Sequence, residues 1–104
     1  MKTEKTWWAR IYLSGPIDVA KQTIRAECLR NGLCVTVEPT TFIYTGGEES
    51  GIVVGLIQYP RFPAKKLALE ARAVDLARKL RRSMFQRSVL VMFLDRTEWI
   101  SDTE

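Results

Sequence analysis

Tyr59-Pro60-Arg61-Phe62-Pro63 sets one cation between two aromatic rings, in a loop that two prolines stiffen. A guanidinium makes planar, paired hydrogen bonds to carboxylate or phosphate, and aromatic rings stack on a flat ring system. Together they suit a small anionic, partly aromatic ligand, nucleotide-like as the best match. Lys65 and Lys66 follow in the first turn of a helix, where positive charge disfavours the helix and so points to a ligand. The unpaired amides of that helix start favour anions too. Tyr59, Arg61, Phe62, Lys65 and Lys66 are therefore the ligand-binding candidates.

A secondary candidate is Tyr44-Thr45-Gly46-Gly47, where glycines let successive amides converge on an anion. Glu48 and Glu49 directly after it would repel that anion, so a plain hairpin turn is the simpler reading. Two adjacent acids without further ligands do not make a metal site.

The chain contains no histidine. This removes the commonest general base and metal ligand, and with them Ser-His-Asp and Cys-His catalysis and nearly all zinc sites. An enzyme would have to be built on groups such as Tyr44, Glu70 or Cys34. No catalytic residue, metal or cofactor is assigned, and the reading leans away from an enzyme. Cys28, in a helix, and Cys34, opening a strand, read as buried thiols rather than a disulfide scaffold.

Net charge is +4 and unevenly placed. Between Lys65 and Arg82 stand seven basic residues (Lys65, Lys66, Arg72, Arg78, Lys79, Arg81, Arg82) against Glu70 and Asp75. Such a helix either presents a solvated face or attracts phosphates and acidic partners.

The elements that must position these residues follow from periodicity. Trp7 to Leu13 is a strand rich in aromatic and β-branched residues. Pro16 opens a helix whose Ile17, Ala20, Ile24 and Cys28 form a buried stripe, and Asn31-Gly32 closes it. Leu33 to Val37 alternates as a second strand, interrupted at Pro39 and resumed through Thr41 to Tyr44. The chain turns over Gly46 to Ser50, and Gly51 to Tyr59 is a third strand. Leu69, Ala73, Leu76, Leu80 and Met84 mark a second amphipathic helix. Ser88 to Leu94 is a fourth strand, and after a turn at Asp95-Arg96 there is room for a short extra strand over Thr97 to Ile100.

The order β-α-β-β-α-β predicts one α+β domain over residues 1–104: a ferredoxin-like split sandwich, with an antiparallel four-stranded sheet and both helices on one face. The fourth strand is apolar on both faces, with Val89, Val91 and Phe93 on one side and Leu90, Met92 and Leu94 on the other. The open face should therefore carry a large apolar patch, and its simplest cover is a second copy of the chain. No run reaches the roughly 20 apolar residues a bilayer span needs, and no signal-type segment follows the N-terminus. A cytoplasmic homo-oligomer is expected.

Three segments resemble known families. Ile11 to Gly15 is similar to the shorter RNA-contacting motif of RNA-recognition-motif domains, in which an aromatic at the Tyr12 position stacks on a base. The longer motif of that family needs aromatics on the third strand, where Gly51 to Ile57 has none. Ile11 to Ile17 resembles the opening strand and turn of the nucleoside 2-deoxyribosyltransferase family, which implies a catalytic glutamate in a later helix, with Glu70 its counterpart here. The hairpin over 42–59 departs from that family's parallel sheet. The segment TVEPTTFIYTGGEESGIVVGLIQYPRFP resembles small uncharacterised phage- and prophage-encoded proteins, and no chemistry transfers with it.

The sequence thus predicts non-enzymatic binding or sequestration of a small nucleotide-like ligand by a homo-oligomer, on the phage resemblance one that acts on a host signalling molecule. The alternative is a nucleic-acid or protein-interaction module that uses the basic second helix.

Overall fold

The computed structural model describes residues 1–102. The elements run β1 (Trp8–Ser14), α1 (Ile17–Asn31), β2 (Thr36–Tyr44), β3 (Gly47–Ile57), α2 (Lys66–Ser83), β4 (Ser88–Phe93) and β5 (Thr97–Ser101). Strand side chains alternate between faces, so Ala9, Ile11 and Leu13 of β1 are buried while Arg10 and Tyr12 point the other way. α1 ends where Gly32 enters the left-handed region, φ 63°, and its N–H donates to the Cys28 carbonyl at 2.9 Å.

The sheet has the order β2-β3-β1-β4-β5, and every neighbouring pair is antiparallel. β2 is an edge strand and runs through Pro39, whose missing N–H costs no ladder bond on the outer side. The β2–β3 turn is tighter than the sequence implied: Tyr44 already pairs with Gly47, and Gly46 takes φ 92° between them.

α2 packs across β1 and β4, and α1 packs on α2 and β3. The core lies between helices and sheet. It joins Ile11, Ile52, Val54, Val89 and Val91 of the strands to Ala20, Ile24, Leu76 and Leu80 of the helices. Burying each large aliphatic chain contributes about 1.5–3 kcal/mol.

The class is α+β, but the four-stranded ferredoxin-like sheet is corrected to five strands. β5 pairs along β4 from Ser88↔Ser101 to Met92↔Thr97. Its five residues contain one buried apolar side chain, Ile100, so the alternation that marks a strand is too short to read with certainty. The two-residue return is closed by the Phe93 N–H donating to the Arg96 carbonyl at 2.7 Å.

The open face carries Tyr12, Val53, Leu90 and Met92 half-buried and Trp99 exposed. Beside them the β2–β3 hairpin contributes Phe42, Ile43 and Tyr44 to a groove of about 710 Å³ that Phe85 also lines. No helix among the described residues is long and apolar enough to cross a membrane.

Candidate functional site

Residues Tyr59 to Phe62 form a single β-turn. The Phe62 N–H donates to the Tyr59 carbonyl at 2.9 Å, and Pro60 stands at the position where its fixed φ is preorganised for a turn. The turn projects Tyr59 (42% exposed) and Phe62 (69% exposed) outward, so both rings can meet a ligand. Arg61 lies between them, its guanidinium carbon 5.4 Å from the centre of the Phe62 ring.

Two bonds anchor this turn to the fold. The Ala64 N–H donates to the Gln58 side-chain oxygen at 2.9 Å, and Trp7 Nε1–H donates to the Ala64 carbonyl at 2.9 Å. Trp7, just ahead of β1, is thereby tied to the segment that leads into α2.

Behind the turn lies a pocket of about 510 Å³. Its apolar wall comes from Leu33, Leu56 and Leu69, its polar rim from Tyr59, Arg61 and Arg72, and Cys34 stands at its edge. Small-molecule sites have this make-up, mostly apolar with a few placed polar groups.

A charged cluster sits at the other side of the start of α2. Glu70 is buried and accepts from Arg96 Nη1 at 3.1 Å, with Lys66 Nζ at 3.6 Å. Lys66 also donates to Asp95 at 2.7 Å, which raises the lysine's pKa and lowers that of Asp95. Arg96 is shared with Glu98 and lies 4.3 Å from the Phe93 ring centre. Its hydrogen bond to Glu70, then that to Glu98, raises its own pKa. Glu70 is thus a buried carboxylate whose cationic partners are partly exposed and divided among other acids.

Glu27 is the second buried carboxylate among the described residues. It accepts from Lys79 at 2.7 Å, from Arg30 at 2.6 Å and from Asn31. The Lys79 and Arg30 hydrogen bonds outweigh burial and hold its pKa at about 2. This carboxylate is saturated and ties the end of α1 to α2.

Of the sequence candidates, Tyr59, Arg61 and Phe62 come together on one pocket, while Lys65 and Lys66 lie outside its lining. Lys65 precedes α2 in extended conformation, and Lys66 is held by Asp95 and Glu70. Tyr44, Gly46 and Gly47 are at the hairpin tip, and Tyr44 lines the open-face groove. Cys34 is exposed, a correction to the expectation of a buried thiol, because β2 begins only at Thr36 and leaves it in the connecting loop. Cys28 is half-buried. Sequence reading missed Arg72 as a pocket residue, although its position three residues after Leu69 puts it beside the apolar stripe. Among the described residues, no group of three or more Cys, Asp or Glu is placed to hold a metal ion.

The α+β sandwich thus carries an aromatic, arginine-bearing pocket beside its second helix, the candidate site of this chain. No family model matches the sequence, and no curated protein matches it. Solved structures do match. A phage SAM lyase in the apo state aligns with TM-score 0.78 and 20% identity, over 100% of this chain and 98% of that one. A phage SAM lyase in complex with S-methyl-5'-thioadenosine aligns with TM-score 0.78 and 20% identity, over 97% and 93%. At that identity the likeness establishes the fold, and the fold is one that phage proteins use.

These matches correct the functional expectation. The fold is shared end to end with an enzyme, which overturns the reading of a non-enzymatic binding or sequestering domain. Of the seven basic residues between Lys65 and Arg82, three are ion-paired within the molecule: Lys66 with Asp95, Lys79 with Glu27 and Asp75, and Arg81 with Asp102.

Proposed function

We propose that the protein is an enzyme that cleaves S-adenosylmethionine and releases methylthioadenosine. The observation that supports this most is the alignment, over nearly the full length of both chains, with a lyase solved in complex with S-methyl-5'-thioadenosine.

Releasing methylthioadenosine breaks the bond between the sulfonium sulfur and the γ-carbon of the methionyl chain. The bonding pair goes to sulfur, which becomes a neutral thioether. In a lyase no water adds, so the four-carbon fragment closes on its own carboxylate or gives up a proton from its β-carbon. Positive charge on sulfur disappears along the way, and low-polarity walls such as Leu33, Leu56 and Leu69 favour that change over the charged ground state.

In this reading Tyr59 and Phe62 stack on the adenine, and Arg61 holds the carboxylate, the anion this substrate carries. The open sheet face, with Tyr12, Leu90, Met92 and Trp99, is covered by a second copy of the chain, which makes the working protein a homo-oligomer.

The test is to incubate the purified protein with S-adenosylmethionine and follow both products by liquid chromatography and mass spectrometry. The expected result is methylthioadenosine together with a fragment one water lighter than homoserine. Intact substrate, with no binding in calorimetry, would sink the proposal. Native mass spectrometry of the same sample checks the oligomer, and a monomer would refute that part.

A further inference from the structure

The pocket wall contains a second arginine. Arg61 enters from the β-turn and Arg72 from α2, and both line the same cavity beside Leu33, Leu56 and Leu69. Among the described residues neither makes an ion pair, whereas Arg30, Lys66, Lys79, Arg81 and Arg96 all do. Both are exposed and free of carboxylate partners, so each guanidinium is available to an anion that enters the pocket. Guanidinium forks match a carboxylate with paired, charge-assisted hydrogen bonds.

We infer that Arg61 and Arg72 form a clamp for the substrate's α-carboxylate, and that Arg72 determines specificity for amino-acid-bearing sulfonium compounds. This rests on the S-adenosylmethionine reading and adds a discrimination to it. The decarboxylated sulfonium has the same adenosine and the same cationic sulfur but no carboxylate, so it leaves both guanidiniums unpaired. The closed clamp also fixes one end of the methionyl chain, which sets the position of its γ-carbon relative to the leaving sulfur.

Calorimetric titration of S-adenosylmethionine and of its decarboxylated form separates the possibilities. The wild-type protein should bind the carboxylate form at least about tenfold more tightly, the range of a hydrogen-bonded charge pair. Arg72→Gln should lose about tenfold or more for that form while its affinity for the decarboxylated form stays within about twofold. Arg72→Lys should restore only part of the loss, because an ammonium lacks the fork. Arg78→Gln, exposed on the same helix and outside the pocket, is the control for net charge and should change neither affinity. Equal wild-type affinity for the two ligands, or an Arg72→Gln loss shared by both, overturns the clamp while leaving the cleavage reading intact. Failure of the wild type to bind or cleave S-adenosylmethionine overturns both.

Discussion

Lys79 of α2 places its ammonium 2.7 Å from the buried carboxylate of Glu27 on α1, joining two helices across 52 positions of sequence. The bond fixes the C-terminal end of α1, and that end leads directly into Leu33 and Cys34 on the pocket wall. A stability contact and a site wall are thus built from one junction.

Glu27 makes acid stability predictable. Its pKa is depressed in the fold to about 2, against an ordinary value of 4.5, so the charged form stabilises the native state. That contribution is complete above about pH 4.5 and is lost as pH falls towards 2. The midpoint of thermal unfolding should drop steeply over that window in the wild type and less steeply in Glu27→Gln. Parallel curves from calorimetry across pH would assign the acid sensitivity to other groups.

Lys79→Met leaves Glu27 with Arg30 and Asn31, so the junction weakens without stranding the carboxylate. We expect a loss of about 1–3 kcal/mol in urea unfolding. A value near zero would show that Arg30 alone satisfies the buried charge.

Glu70→Gln keeps the shape of the side chain and removes its charge. Stability in urea unfolding should fall by about 1–3 kcal/mol, because the Arg96 and Lys66 contacts lose their charge. The fold should survive, since Arg96 and Lys66 retain Glu98 and Asp95. Wild-type stability would show that the charge on Glu70 adds nothing to those contacts.

Tyr59→Ala and Phe62→Ala test the stacking assignment. Each should weaken methylthioadenosine binding by about 1–3 kcal/mol. Both rings are substantially exposed, so unfolding midpoints should hardly move. Unchanged binding in both variants would place the adenine elsewhere.

Gly51 lies under the Phe42 ring, and a Cβ built there would stand 2.7 Å from the Leu13 carbonyl oxygen. Gly51→Ala therefore forces β1 and β3 apart at that point or displaces Phe42. A destabilisation of about 1–3 kcal/mol is expected in denaturant unfolding. Wild-type stability would mean that Phe42 swings aside at no cost.

Much of the scaffold is legible from local signals. Ile17, Ala20, Ile24 and Cys28 mark α1 by spacing, Asn31-Gly32 marks its end, and the prolines around Arg61 announce a rigid turn. These patterns are readable because a helix or a turn is decided by residues within a few positions of one another. β5 is less legible, since a five-residue strand with one buried side chain resembles a polar tail until β4 is there to pair with it.

The sequence by itself determined the order of the two helices and the first four strands, the apolar stripe of each helix, and the turn that presents Tyr59, Arg61 and Phe62. Only the tertiary structure decided that Arg72 and Arg61 line one pocket, that Lys79 neutralises Glu27, and that Cys34 is exposed at the pocket edge. Periodicity reports which side of an element is buried, and that is a local property. Which charge faces which across the fold depends on how the faces pack together, and the packing is settled by the whole core at once.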